Sequence, residues 1–483
     1  MDDRSALTRT QRLSLWGGFG VLCAVAFFLT NNVRLSFSSD HLYGALFAHF
    51  NTALFRTSPS TYLVPDVLLH YASRLTPGTF LEQVVVAGVL HFLLNVGGVT
   101  LVFGRWVGAL FAVSLLYLHA DMVLNTGMHL SLVFLFALYV GARRRLLKHS
   151  ILLIASASDP LFGLIWLPVS TLTGRPVRTL PTFLPEYRLE LALVAIGLAF
   201  SLFMSETNIE LLRFSVVFFL GVVVQQCLSA FRYPRMLIHA YGAPLAFAGA
   251  GVCLFLAEFV ATDLLAPRYL IPIGMSLALY GLYLTRPPET AQGRAGSRRE
   301  RSAAAVVLCG SLAFGIYYQI QTHHDFFAIE KVSEPWKCAA EAITQRGVSK
   351  IAADHWLAKP LYVAALELEK TLDVVQVDFV NNMPDTWIAP YDFARGHSMW
   401  ALRDDAGCRS QSAQNPQCAH RHERLPDHGE TIAVCDRFIM IRFAEPIPDA
   451  MQRRRFDSVD GKLDGFAYNV RNNVDKALGR LDR

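Results

Sequence analysis

The chain has 483 residues, 53% of them hydrophobic and only 17% charged, with a formal net charge of +5. A mean hydropathy of +0.33 argues against an ordinary soluble globular protein. The charge surplus lies in arginines that punctuate apolar runs rather than in one basic surface, so it does not point to nucleic acid.

About 20 apolar residues cross a bilayer core. On that measure the chain is expected to cross about eleven times, near 13–31, 82–103, 106–120, 127–142, 146–159, 160–173, 188–204, 209–229, 236–259, 269–285 and 303–319. Cytoplasmic loops should carry the Lys and Arg. With the N-terminus inside, the inner segments hold Arg4, Arg9 and Arg12, then Arg105, then Arg143-Arg144-Arg145 with Lys148. They continue with Arg175, Arg178 and Arg188, with Arg232 and Arg235, and with the cluster from Arg286 to Arg301. Reading 146–173 as one span would put that last cluster outside, so two short helices are expected there. The expected fold is therefore a polytopic α-helical membrane domain over 1–319, with an outer loop at 32–81, followed by an extracytoplasmic α/β domain over 320–483. Nothing like A-x-A follows the first span, so it is expected to stay as a signal anchor.

The C-terminal part alternates helix and strand patterns. Helices are expected at Pro335–Gln345 and Lys359–Leu368, and strands at Ser349–Ala353 and Asp373–Phe379. A late hairpin is expected from Thr431–Val434 and Phe438–Phe443. Four of the eight cysteines fall here: Cys338, Cys408, Cys418 and Cys435. In an oxidising compartment they allow two disulfides, and Cys408 with Cys418 would close a short polar loop. A zinc site from Cys418, His420, His422 and His428 is the weaker alternative, because no second close ligand pair is present. No phosphate-binding glycine loop or serine elbow occurs, and no cofactor or metal ion is implied.

Ionisable residues near or within a membrane are functional candidates, since lipid penalises them. Asp40 follows the first span in Ser38-Ser39-Asp40-His41-Leu42-Tyr43. Leu42, Leu46, Phe47 and Phe50 then recur at helical spacing, which suggests an amphipathic helix on the outer surface. Asp40 at its start suits either a capping residue or a catalytic acid. Asp159, before Pro160 and between two short spans, suits either a cap of the next helix or an acid below the outer surface. Arg268 and Tyr269 open a later span in Arg268-Tyr269-Leu270-Ile271-Pro272. Arg can grip a phosphate bidentately there, and an Arg-Tyr pair is also an ordinary interfacial anchor. His119, Asp121, His129 and Glu206 face outward on the same topology and suit loop or capping roles.

The many spans, the acid early in the first outer loop, the surface helix behind it and the Arg268-Tyr269-Leu270-x-Pro272 motif together resemble bacterial membrane glycosyltransferases of the GT-C superfamily. That resemblance implies an inverting transfer of a sugar from a polyprenyl-phosphate carrier to a glycan, lipid or protein acceptor outside the cytoplasm. It implies a multi-pass protein of the bacterial inner membrane with its C-terminal domain in the periplasm. Asp40 would be the general base, Asp159 a second catalytic acid, and His41, Tyr43, Arg268 and Tyr269 substrate-binding residues. Asp40 is followed by His41 rather than by the superfamily's second acid, a departure that leaves the second carboxylate and any dependence on a divalent metal ion open. Two other classes fit the compartment: a polysaccharide polymerase or ligase with a diphosphate-linked donor, and a transporter with broken helices.

Overall fold

A computed structural model describes residues 17–29, 39–50, 63–117, 129–159, 187–204, 329–378, 396–404 and 428–447, with isolated positions between them. The N-terminal part contributes eight helices to this set: α1 (Gly17–Leu29), α2 (Ser39–Phe50), α3 (Leu68–Ser73, entered through a π turn at Leu63–Val67), α4 (Phe80–Phe103), α5 (Arg105–Tyr117), α6 (Ser131–Gly141), α7 (Arg145–Ser158) and α8 (Arg188–Met204). The C-terminal part supplies α9 (Ile329–Gln345), β1 (Lys350–Ala353), α10 (His355–Glu367), β2 (Asp373–Asp378), β3 (Met383–Pro384), β4 (Ser398–Asp404), β5 (His428–Val434) and β6 (Phe438–Ile447).

The expectation of a polytopic domain with about eleven spans is overturned. Among the described residues, α4 alone is long and apolar enough to cross a membrane. Its 24 residues rise about 36 Å, against a hydrocarbon core of about 30 Å. Local breaks cut the other apolar runs short. Gly104 takes φ 91° and ends α4 where the expected span at 82–103 ends, and α5, in the expected span at 106–120, keeps only 13 residues. His129 takes φ 58° ahead of α6, which keeps 11 residues, and Asp159 is extended after α7, which keeps 14. A count of apolar residues does not see such breaks. The topology derived from eleven crossings loses its basis with them. The expected spans at 209–229 and 236–259 lie outside the described residues, as do most of those at 269–285 and 303–319.

The core of the N-terminal part gathers Phe28, Leu29, Phe92, Phe103, Leu116, Phe136 and Leu152 from five helices, together with Trp166. α4 starts at a capping box: Thr79 accepts from the Glu82 amide, and the Glu82 carboxylate accepts from the Thr79 amide at 2.7 Å.

The C-terminal part is a mixed six-stranded sheet in the order β3-β2-β1-β4-β6-β5. β1 pairs in parallel with both β2 and β4, with α10 as the crossover from β1 to β2. β6 runs antiparallel to β4 and β5, so the late hairpin extends the sheet at one edge. β4 was not expected from the sequence, and it is the strand that joins the parallel pair to the hairpin. Asp354 caps α10 through the amides of Trp356 and Leu357. The disulfide is Cys338–Cys435, which ties α9 to the β5–β6 turn across 97 residues of sequence. Cys435 is therefore the partner of Cys338, and the pairing suggested for Cys408 and Cys418 falls on positions outside the described residues. Arg437, beside the bridge, pairs with Asp404 at 2.6 Å and lies over the Trp336 ring.

α2 joins the two parts. It was expected on a surface with one apolar face, but Leu42 to Ala48 are all buried. Leu42 and Leu46 enter the core of the α/β domain with Leu357, Ala358 and Leu361. Tyr43 and Phe47 turn to the other side, against Val67 and Tyr71. Phe50 closes on Tyr362 and Phe393 at ring-centroid distances of 5.3 and 5.8 Å. A polar fastener completes the junction: the Leu81 amide in the first turn of α4 donates to Glu367 Oε1 at 3.1 Å, at the end of α10.

Two predictions come from these contacts. Cys338 and Cys435 should resist alkylation until a reductant is added, and replacing either by Ser should lower the stability of the α/β domain by about 2–4 kcal/mol. Free labelling of both in the unreduced protein would exclude the bridge. Burial raises the Glu367 carboxyl above its ordinary 4.5, an effect only partly opposed by the Leu81 amide and Lys337. A raised acid favours the fold most below its unfolded value and loses that advantage as pH rises through its folded value. Glu367→Gln keeps an acceptor for Leu81 and removes the charge. It should melt above wild type at pH 7–8 and converge with it near pH 4.5; a lower melting temperature at pH 8 would contradict this account.

Candidate functional site

In the N-terminal part, buried ionisable residues gather where the π turn, α3, α4 and α6 meet. The turn at Leu63–Val67 brings Asp66 inside at 2% exposure. One helical turn later, at i+4, comes His70, and four residues on comes Arg74 at the surface. The inner face of α4 supplies His91 and Asn95, again at i+4, and the first residue of α6 is Ser131. All of these except Arg74 are buried.

Asp66, His91 and Ser131 form one hydrogen-bonded unit. Ser131 Oγ lies 2.5 Å from Asp66 Oδ1 and 2.8 Å from His91 Nε2, and Nε2 lies 3.1 Å from Oδ1. His91 Nδ1 lies 2.9 Å from the carbonyl oxygen of Val123. A carbonyl only accepts, so Nδ1 carries a proton. The serine proton serves one contact of the triangle, and without another proton two lone pairs would face each other. The unit therefore holds one further proton between Nε2 and Oδ1. In either location the Asp66–His91 pair has no net charge, which is how an acid and a base can sit on the inner face of an apolar helix.

A second pair lies alongside. His129 Nδ1 meets Asp159 Oδ2 at 2.6 Å, with both residues buried. Asp159 Oδ1 accepts from the Leu161 amide at 3.0 Å. Asp159 thus caps the turn that follows and is also a buried acid with a histidine partner. Ser158, its neighbour, takes the Val64 amide at 3.3 Å and fastens the π turn to α7.

His70 differs from these. It is 1% exposed, and neither ring nitrogen has a hydrogen-bond partner. It lines a small recess with Ala45 and His49 of α2, with Ser73 and Arg74, and with Phe80, Gln83 and Val84 of α4. The Arg74 guanidinium donates to the carbonyl of Ala48, so α2 holds it at the rim. Burial lowers the His70 pKa from 6.5 to about 4; Asp66 opposes the shift and His91 adds to it. His49 is lowered as well, by burial and then by Arg74.

The residues singled out in the sequence fare unevenly. Asp40 and His41 lie in the first turn of α2, with side chains outside the described set. Tyr43 is buried and packs edge-on against Phe47 at 4.5 Å. Asp159 is joined to His129. Arg268 and Tyr269 lie outside the described residues. Asp66, His70, Arg74 and His91 were missed. The first three fell in a segment taken as outer loop, yet their i, i+4, i+8 spacing is a helical stripe, and His91 was visible as an ionisable residue inside an apolar run. No group of three or more His, Cys, Asp or Glu suited to a metal ion occurs among the described residues.

His70 sets a pH limit on the fold. A histidine whose folded pKa is depressed stabilises fully above its unfolded value of 6.5 and loses that contribution as pH falls through about 4. The loss is on the order of 3 kcal/mol. Melting temperatures from pH 7 to pH 4 should fall more steeply for wild type than for His70→Phe, which cannot be protonated. Parallel slopes would show that His70 is not held neutral.

No protein-family model matches the chain, and no curated protein or solved structure matches it.

Proposed function

We propose that the chain is a membrane-associated glycosyltransferase that moves a sugar from a polyprenyl-phosphate carrier to an extracytoplasmic glycan, lipid or protein acceptor. Asp40 takes the proton of the acceptor hydroxyl. The acceptor oxygen bonds to the anomeric carbon as the bond from that carbon to the phosphate oxygen breaks, and the carrier phosphate leaves with the electron pair. Attack from the opposite face inverts the centre. Arg268 and Tyr269 bind the carrier headgroup in this scheme, and His41 and Tyr43 line the approach.

The observation that carries the reading is the burial of α2. The helix that carries Asp40 in its first turn is clamped between the π turn and α3 on one flank and an α/β domain on the other. The helix itself thus lies at the seam between the apolar helices and that domain, which suits a lipid-linked donor and a polar acceptor. The Cys338–Cys435 bridge supports an oxidising compartment for the α/β domain. The proposal does not use the eleven-span frame.

One observation favours a second reading. The Asp66–His91 and His129–Asp159 pairs are buried acid–histidine couples of the kind that relay protons in transporters.

Transfer from a labelled polyprenyl-phosphate sugar, in membranes with matched amounts of each variant, separates the two. Asp40→Asn keeps a capping oxygen, since Asn and Asp cap about equally. It cannot accept the proton, so transfer should fall by about 10²–10⁴-fold while carrier binding persists. His41→Ala should be milder. Near-normal transfer by Asp40→Asn would remove Asp40 as the base. Proton flux in proteoliposomes without any sugar transfer would favour the transporter.

A further inference from the structure

The recess between α2, α3 and α4 ends on an imidazole with two bare nitrogens, and we infer that it is a binding site for a phosphate monoester, seated with one oxygen on His70 and its charge on Arg74. On the transferase reading above, which supplies only the source of the phosphate, the group would be the monoester of the spent carrier, after its sugar has been transferred and it has left Arg268 and Tyr269.

The argument starts from what burial demands. A polar group withdrawn from water without a partner costs roughly 1–3 kcal/mol in proteins, and such groups are few. His70 has two of them on one ring. The other buried histidines among the described residues, His91, His129 and His355, are all hydrogen-bonded. His70 is also the one that borders an opening.

The surrounding charges select an anion. Arg74 stands at the rim, exposed to solvent, and donates to the Ala48 carbonyl, which holds its positive charge at the mouth of the recess. His49 faces the recess from α2, and Gln83 presents an amide from α4 that reaches the carbonyls of Thr76 and Gly78 at 3.4 Å. Asp66 is the carboxylate near His70, and it would repel an anion if it were alone. Its charge is matched by the shared proton of the His91 unit, so that pair presents no net charge. A neutral His70 offers one N–H to an incoming oxygen. The recess has room for about one water-sized group, which suits a single phosphoryl oxygen inserted toward His70 with the rest of the phosphate at Arg74. A carrier cation would meet Arg74 first and is disfavoured.

The test uses the full chain in dodecyl maltoside micelles and isothermal titration with three probes: inorganic phosphate, lysophosphatidic acid, whose headgroup is a phosphate monoester, and lysophosphatidylcholine, whose phosphate is covered by choline. Wild type should bind lysophosphatidic acid saturably and lysophosphatidylcholine at least tenfold more weakly. His70→Phe, which fills the recess, and Arg74→Gln should each weaken lysophosphatidic acid by about tenfold to a hundredfold, the range of a lost charge-assisted hydrogen bond. The same losses with inorganic phosphate would identify a free-anion site, whereas binding confined to lysophosphatidic acid would identify a lipid headgroup site. Equal affinity in wild type, His70→Phe and Arg74→Gln would overturn the inference, as would the absence of saturable binding to either phosphate probe. Arg74 is exposed, so Arg74→Gln decides the matter if His70→Phe fails to fold. Sugar transfer measured on the same samples keeps the two proposals apart. Phosphate binding that depends on His70 and Arg74, in a protein that transfers no sugar, would sustain the site and sink the transferase. Sugar transfer with phosphate binding indifferent to both residues would do the reverse.

Discussion

A helix with no solvent face needs two partners, and α2 has them. Leu42 and Leu46 complete the core of the α/β domain, while Tyr43 and Phe47 pack against the turn that carries Asp66. The same twelve residues thus fix the domain on one side and the polar cluster on the other. Arg74 adds a cross-link to the last turn of α2 through the Ala48 carbonyl. Movement of the domain relative to α3 would expose apolar surface on one flank or the other, at roughly 25 cal/mol per Å². The recess at His70 keeps its shape because its walls come from elements that α2 binds together.

The polar cluster is tolerated because its charges cancel locally. Asp66 and His91 share a proton, Ser131 bridges them, and Val123 takes the remaining imidazole N–H. Taking away one half of such a pair leaves an uncompensated buried charge, which is far worse than losing both. His129 and Asp159 repeat the solution between α6 and α7. Between them these pairs pin the π turn, α4, α6 and α7 at points where apolar packing alone would allow rotation.

Much of the local structure was legible in the sequence. Apolar runs ending at 103, 141, 158 and 204 did become helices, and the hairpin around Cys435 was visible from its alternating pattern. What the runs concealed was how little of each is helical: α5, α6 and α7 keep 13, 11 and 14 residues, short of the roughly 20 that a crossing needs, and the number of crossings was overcounted in consequence. The bridge between Cys338 and Cys435 is the pair that a Cys408–Cys418 bridge would leave over, but nothing in the sequence argued for it beyond elimination, because it follows the packing of α9 against the hairpin. Asp159 was recognisable from the proline behind it. Asp66 and His70 were hidden in a segment that looks like loop because its helical stripe is polar, and their partners on α4 and α6 are distant in the chain.

The Leu81–Glu367 hydrogen bond spans 286 residues. At a synthesis rate of about 5–20 residues per second, α4 emerges roughly 15–60 s before the carboxylate that fastens its first turn. Over that interval the helix entrance has its own capping box but lacks the domain's contribution, and α2 has only one of its two flanks covered. The half-made chain therefore presents an apolar stripe at Leu42 and Leu46 that the finished domain later conceals. That stripe is a temporal mark of incompleteness, legible to any chaperone or protease that samples exposed leucines, and it disappears only when translation has delivered both ends of the junction.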